Sequence, residues 1–294
     1  VFVSAFNGTD RVQQVYGAVV ATEKHWLIHS EYAYEAEDLP RDCSLYVAPN
    51  ETREDDYISG FFAAKVPRLE GIRLCVDISG FMRPHLMFLV RLLAARGVRS
   101  FDALYTEPRQ YAHREATEFS GGDVSGVRPV AGLEGTHVPS LSPDQDVLII
   151  GAGYEHELIR HVAASKTNTK KFQLLGFPPL RADFYQENVL NARKASEAVS
   201  AVNEGRPLLA PASDPYVTAS VVQRAIDEQL SKGAKNIYLC PLASRPQALG
   251  FALYHVYEGT GRPISVIYPF ATRYSRETAT GIARVWRYSV ELPR

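Results

Sequence analysis

Two carboxylates of this chain are suited to acid–base or nucleophilic work: Glu107, in Tyr105-Thr106-Glu107-Pro108-Arg109, and Asp77, in Asp77-Ile78-Ser79-Gly80. A carboxylate beside a tyrosine just past a buried strand can hold a ribose hydroxyl or attack an anomeric carbon, as nucleosidic-bond enzymes require. The competing reading is ion pairing with Arg109 or Arg181. The acidic residues of Asp183-Phe184-Tyr185-Gln186-Glu187-Asn188 are further candidates. Ser79 stands at a strand-to-helix turn where a hydrolase nucleophile can be imagined, but no G-x-S-x-G elbow surrounds it.

The remaining candidates share one property, since each follows an apolar, β-branched run. Asn7, Gly8 and Thr9 follow the first run; Ser79, Gly80, Arg83 and His85 follow another; Gly151, Gly153, Tyr154, Glu155 and His156 follow a third. Ser213, Asp214 and Tyr216, then Ser244, Arg245 and Gln247, then Arg273, Tyr274 and Ser275 complete the set. In open α/β sheets ligands bind beyond the carboxyl ends of the strands, where helix starts offer unpaired N–H groups and a favourable dipole. Thr9, Ser79, Asp214 and Ser244 are also good helix caps, so capping alone is the competing explanation for them. It does not explain Arg83, Arg245 and Arg273, because a cap needs no cation. Among the 16 tyrosines, Tyr154 and Tyr216 are placed to stack on a base.

Several chemistries are disfavoured by spacing. Gly151-Ala152-Gly153-Tyr154-Glu155-His156 begins like a dinucleotide fingerprint, but His156 stands where the third glycine belongs and no acid follows the next strand at Gly176-Phe177. His156 and His161 are five residues apart, about 140° around a helix, so they do not form the zincin pair. The other histidines lack metal-ligand spacing, and no P-loop occurs. Neither a metal nor a cofactor is expected.

The elements that must position these residues follow one rhythm, strand, amphipathic helix, strand, which implies parallel strands with helical crossovers. Strands are predicted at Phe2–Phe6, His25–His29, Arg73–Ile78, Phe101–Tyr105, Asp146–Ile150, Lys171–Gly176, Leu208–Ala210, Ile237–Cys240, Ile264–Tyr268 and Ala283–Leu292. Helices are predicted at Thr9–Thr22, Arg83–Arg96, Glu155–Ser165, Tyr216–Lys232 and Pro246–Glu258, with one more within Arg181–Ser200. Between Thr106 and Pro143 the pattern dissolves into polar, Gly-rich sequence. The expected fold is α/β, with mostly parallel sheets and helices on both faces. Two Rossmann-like halves, 1–140 and 141–294, are the preferred division, and one large doubly wound sheet is the alternative.

Composition sets the outer bounds. The 294 residues are 46% hydrophobic and 22% charged, enough for a large core. With 32 basic and 33 acidic residues the net charge of -1 exerts no global pull toward nucleic acid or an anionic membrane. No apolar run reaches the roughly 18 residues a membrane helix needs. The opening Val1–Phe6 lacks the basic start of a signal peptide. Cys43, Cys75 and Cys240 are odd in number and far apart, as for thiols in a reducing compartment, so a cytoplasmic protein without membrane contact is expected.

The segment Asn236–Gly250, with its Ala243-Ser244-Arg245-Pro246 turn, and the strand Ile264–Tyr268 resemble the final strand, turn and helix of CRISPR-associated Rossmann-fold (CARF/SAVED-like) sensor domains of bacterial anti-phage systems. Asn7–Asp10 would match their first-strand turn. The Gly-Gly-Thr-Lys-type turn usual there is absent. The resemblance implies a sensor or scaffold that binds a nucleotide or cyclic oligonucleotide, with Ser244, Arg245 and Gln247 near phosphate and a separate effector chain as partner. An enzyme acting on the N-glycosidic or phosphoester bond of a nucleoside or nucleotide is the alternative, through Glu107 or Asp77. A structural subunit of a larger complex, or a homo-oligomer, is a further expectation, with an exposed apolar patch at Phe61, Phe62, Phe81 and Met82.

Overall fold

A computed structural model describes residues 1–41, 43–49, 52–111, 124–139, 145–153, 155–181, 207–271, 274 and 279–293. The chain divides into two compact units, Val1–Asp123 with Ala271–Arg294, and Val124–Phe270. Each is an α/β unit around one mostly parallel six-stranded sheet. These units differ from the expected division at residue 140, because the C-terminal strand joins the first sheet.

In the first unit the strands are β1 (Phe2–Phe6), β2 (Lys24–Ile28), β3 (Ser44–Val47), β4 (Cys75–Asp77), β5 (Ser100–Tyr111) and β12 (Ala279–Glu291), in the order β12-β5-β4-β1-β2-β3. All pairs are parallel except β12 with β5. The helices are α1 (Asp10–Ala18), α2 (Glu54–Lys65) and α3 (Arg83–Ala95). β1 is buried along its whole length, which is why Phe-Val-Ser-Ala-Phe reads as a nearly continuous apolar run. Phe61, Phe62, Phe81 and Met82 are core residues of this unit, between 0% and 3% exposed, so the exposed patch expected there does not exist. Phe61 and Phe62 lie on α2, whose Tyr57 and Ile58 are buried one turn earlier.

The second unit holds β6 (Val124–Pro129), β7 (Asp146–Ala152), β8 (Lys170–Gly176), β9 (Leu208–Ala210), β10 (Asn236–Pro241) and β11 (Ile264–Ala271), in the order β6-β11-β10-β7-β8-β9. Its helices are α4 (His156–Ser165), α5 (Pro215–Ser231) and α6 (Arg245–Tyr254), the last running into a π-helical turn at His255–Gly259. The helix expected within Arg181–Ser200 lies outside the described residues, apart from Arg181 itself.

The two orders are the same. Leaving aside the edge strands β12 and β6, in each unit the first of the five remaining strands is central, the second and third lie on one side, and the fourth and fifth on the other. The direction of winding therefore reverses between the first and fourth strands, at β1/β4 and at β7/β10. Such switch points open a crevice at the carboxyl ends of the strands. Among the described residues no helix is long and apolar enough to cross a membrane.

Candidate functional site

At the switch point of the first unit the strand ends approach closely. A Cβ at Gly80, in the turn between β4 and α3, would lie 1.8 Å from the carbonyl oxygen of Ala5 on β1, so only glycine lets this turn sit against β1. Asn7 ends β1 as an Asx turn, its Oδ1 accepting from the Thr9 N–H at 3.2 Å and the Thr9 hydroxyl at 2.7 Å. Thr9 therefore does not cap α1, and Met82 does not cap α3. Neither helix start has a side-chain cap.

Asp77 is entirely buried at the end of β4. Its carboxylate accepts from the Ser4 hydroxyl at 3.2 Å and from the Ser79 N–H at 3.0 Å. Burial pushes its pKa up, opposed by hydrogen bonds from Ser79, the Arg11 charge and the bond from Ser4. The Ser79 hydroxyl accepts from the Thr106 N–H at 2.7 Å and is itself fully buried, so it braces β4 against β5 and is not presented to a substrate.

Two cations are buried in these first turns. Arg11 is 5% exposed and donates from Nη1 to the carbonyl of Thr106 on β5, while its Nε has no hydrogen-bond partner among the described residues. Arg83, 7% exposed, opens α3. Asp10, also in the first turn of α1, is exposed.

Beside them, past the end of β2, stands an aromatic and histidine cluster. His29 stacks on Tyr57 with ring centroids 5.4 Å apart and meets His85 at 4.5 Å. The Met82 N–H approaches His29 Nε2 at 3.5 Å. His85 Nε2 lies 4.0 Å from Oε1 of Glu31, in the 3₁₀ turn Ser30–Tyr32. Burial first, and the charge of Glu31 next, drive the Tyr57 hydroxyl pKa well up.

Glu107 is not past a strand end, as the sequence suggested, but inside β5. The strand runs on to Tyr111 because β12 pairs with it, Arg284 facing Glu107. Pro108, which reads as a strand breaker, lies where the register shifts between Ile282 and Arg284, a position where proline is tolerated. The Glu107 carboxylate, 4% exposed, accepts from Trp286 Nε1 at 3.0 Å.

In the second unit the turns after β7 and β10 pack closely on each other. A Cβ at Gly153 would lie 2.4 Å from the Leu242 carbonyl oxygen, and one at Gly151 3.1 Å from the Phe251 ring, so both glycines serve close packing. Asp214 caps α5, its Oδ1 accepting from the N–H groups of Tyr216 and Val217 at 2.9 and 3.0 Å. Ser244 caps α6 by accepting from the Gln247 N–H at 3.2 Å, and its hydroxyl donates to the Ala212 carbonyl. Gln247, 1% exposed, donates from Nε2 to the Ala210 carbonyl at 3.3 Å. Glu155, a buried acid, immediately precedes α4. Ser213 and Arg245 are half-buried, and Tyr216 is 44% exposed. Tyr154, Arg273, Ser275 and 183–188 lie outside the described residues.

Thus Asn7, Asp77, Ser79 and Arg83 come together in the first unit, and Gly151, Gly153, Ser244 and Gln247 in the second. Sequence reasoning missed Arg11, whose burial depends on a carbonyl 95 residues away. It also passed over Glu31, whose only signal was its place just after the second strand. No known protein family matches the chain, and no curated protein matches it.

Proposed function

We propose that this chain binds a nucleotide or cyclic oligonucleotide, with phosphate at the β1/β4 switch point of the first unit. The observation that carries this reading is the contrast between helix starts. α1 and α3, which follow the switch-point strands of the first unit, each bury an arginine in the first turn beside only one exposed acid, Asp10, whereas α4 and α6 of the second unit start at the buried acid Glu155 and at Ser244, whose hydroxyl caps its own helix. Helix dipoles and guanidinium groups attract an anion; a carboxylate at the cap repels one. Asn7 and Arg83 are the nearest sequence-predicted contacts. Asp77 and Ser79 shape the crevice from beneath.

In this reading the chain is a sensor, and the resemblance of Asn236–Gly250 to sensor domains of anti-phage systems supports a place in bacterial defence with a separate effector. Enzymatic work by Glu107 or Asp77 is less well supported, since both carboxylates are buried and hold fold-defining hydrogen bonds.

The test is thermal stability of the purified chain against mononucleotides, dinucleotides and cyclic oligonucleotides. A ligand at a hundred times its Kd adds about 2.7 kcal/mol. A stabilising class is expected whose effect falls in Arg83→Gln and persists in Arg245→Gln. No stabilisation by any member overturns the proposal, and loss only in Arg245→Gln moves the site to the second unit.

A further inference from the structure

We propose that Glu31 is the group that reads the sugar, accepting hydrogen bonds from the vicinal hydroxyls of a ribonucleotide and making the first unit selective for ribose over deoxyribose. The inference rests on the nucleotide reading above and names the chemistry at one of its positions.

The argument begins with register. β1 and β2 pair in parallel from Phe2↔Lys24 to Phe6↔Ile28, so the two strands end level with each other. The turn Asn7-Gly8-Thr9 and the segment His29-Ser30-Glu31 leave the sheet at the same, carboxyl-terminal end of its strands. In doubly wound sheets that bind nucleotides across the first strand, phosphate lies at the β1–α1 turn. An acid after the second strand, about 20 residues beyond the turn's first glycine, takes the ribose hydroxyls. Gly8, with φ of 70°, occupies the turn, and Glu31 stands after β2 at the corresponding place. The glycine pattern of the fingerprint is absent here; the arrangement of turn, cation and acid is what carries the comparison.

The side chain is held for such a role. The Ser30 hydroxyl donates to Oε2 at 3.3 Å, and His85 Nε2 stands 4.0 Å from Oε1. The backbone carbonyl of Glu31 accepts from the Tyr274 N–H at 3.2 Å, which fixes the turn itself. The carboxylate nevertheless keeps a quarter of its side-chain surface open, unlike Asp77 and Glu107. An ionised carboxylate has about four acceptor positions. With one taken by Ser30, those that remain suit a pair of adjacent hydroxyls, which offer two donors on one side of a ring. The buried Arg11 guanidinium, with its unpartnered Nε, is the second element, a cation at the start of α1 for the phosphate.

The experiment is calorimetric titration of the 294-residue chain with adenosine and guanosine 5′-monophosphates, their 2′-deoxy and 2′,3′-dideoxy forms, and a 3′,5′-cyclic diribonucleotide, whose sugars keep only the 2′-hydroxyl, with its deoxy counterpart. Wild type, Glu31→Gln and Glu31→Ala are compared. Hydrogen bonds to a charged acceptor are among the stronger ones, so wild type is expected to prefer ribo over 2′,3′-dideoxy mononucleotide by about tenfold or more. Glu31→Ala should reduce that preference to within about twofold while leaving the dideoxy affinity unchanged, and Glu31→Gln should fall between. Ribo and dideoxy forms binding wild type equally, or a preference that survives Glu31→Ala, overturns the inference but leaves the nucleotide reading standing. Failure of every nucleotide to bind wild type overturns both.

Discussion

Removing the indole N–H of Trp286 tests whether Glu107 is a catalytic group or a strut. Trp286→Phe leaves a 4% exposed carboxylate without the donor that stands 3.0 Å from it. Losing a hydrogen bond to a buried charged group costs about 1.5–3 kcal/mol, and the smaller ring at a half-buried position adds less than about 1 kcal/mol. Glu107→Gln keeps an acceptor for the indole and removes the charge, so its cost should stay near 1 kcal/mol. The two changes should not add. In the Glu107→Gln background the loss of Trp286 leaves only a neutral amide unpaired, and the coupling is expected at about 1–2 kcal/mol. Urea unfolding followed by tryptophan fluorescence measures it, with a common slope for all four forms. Both tryptophans, Trp26 and Trp286, belong to the first unit, so the signal reports that unit alone, and Trp26 remains when Trp286 is replaced. A coupling within about 0.3 kcal/mol of zero would refute the strut, because independent sites add to that precision. A Glu107→Gln variant that keeps its stability and nucleotide affinity but loses a turnover seen in wild type would make Glu107 catalytic after all.

Gly80→Ala drives a Cβ into the Ala5 carbonyl and should destabilise the first unit by about 3 kcal/mol or more, whereas Gly17→Ala, with nothing within 4 Å on α1, should stabilise it by about 0.5–1 kcal/mol; paired urea melts distinguish them. Asp77, whose carboxyl pKa is raised by burial, keeps its proton in the folded state after the unfolded chain has lost it near pH 3.9. Its contribution therefore weakens stability as pH rises from the unfolded value through the folded one. Asp77→Asn should show a smaller fall across that window than wild type, and an equal or steeper fall in pH-dependent urea midpoints would contradict the assignment. Asp214→Ala and Ser244→Ala should each lower the thermal midpoint through a cap worth about 1 kcal/mol while leaving nucleotide affinity unchanged; a large loss of affinity would place ligand in the second unit. A fragment of residues 124–270 contains all six strands of the second sheet and should give a cooperative melt, whereas 1–123 lacks β12 and should do so only when a 271–294 peptide is added.

The sheets were legible in the sequence where burial is complete. β1 was predicted with the bounds it has, and β7, β8, β10 and β11 within a few residues at each end, because strands largely covered on both faces read as nearly continuous apolar runs; β9, an edge strand with Leu209 exposed, was legible only because its three residues are all apolar. β3 and β6 escaped, since they are edge strands without a single buried residue. β12 was expected as a strand, but its partner was not; an antiparallel ladder between residues 100–111 and 279–291 is a non-local choice that no local pattern encodes. The site divides the same way. Asn7, Asp77, Ser79 and Arg83 were legible because strand ends and helix starts are local features. Whether Ser244 meets a ligand or caps its own helix is decided by the carbonyl of Ala212, 32 residues earlier.

The shared strand order makes the difference between the units informative. Both place a first-strand turn beside a fourth-strand turn, and both open the helix after the fourth strand with Arg-Pro, at Arg83-Pro84 and Arg245-Pro246. Geometry alone would then give two equivalent anion sites. Electrostatics separates them. In the second unit the acid Glu155 stands at the start of α4, the helix after β7, and the Ser244 hydroxyl takes up the Gln247 N–H at the start of α6, the helix after β10. In the first unit Asn7 turns its acceptor onto Thr9, Met82 has no acceptor to offer, and Arg11 brings a guanidinium to Thr106, inside β5, with its Nε unsatisfied. A buried donor without an acceptor carries a desolvation cost of about 1–3 kcal/mol. An anionic oxygen that reaches Arg11 relieves that cost, whereas one that approaches the start of α4 meets the Glu155 carboxylate, so a single phosphate has reason to choose the first unit.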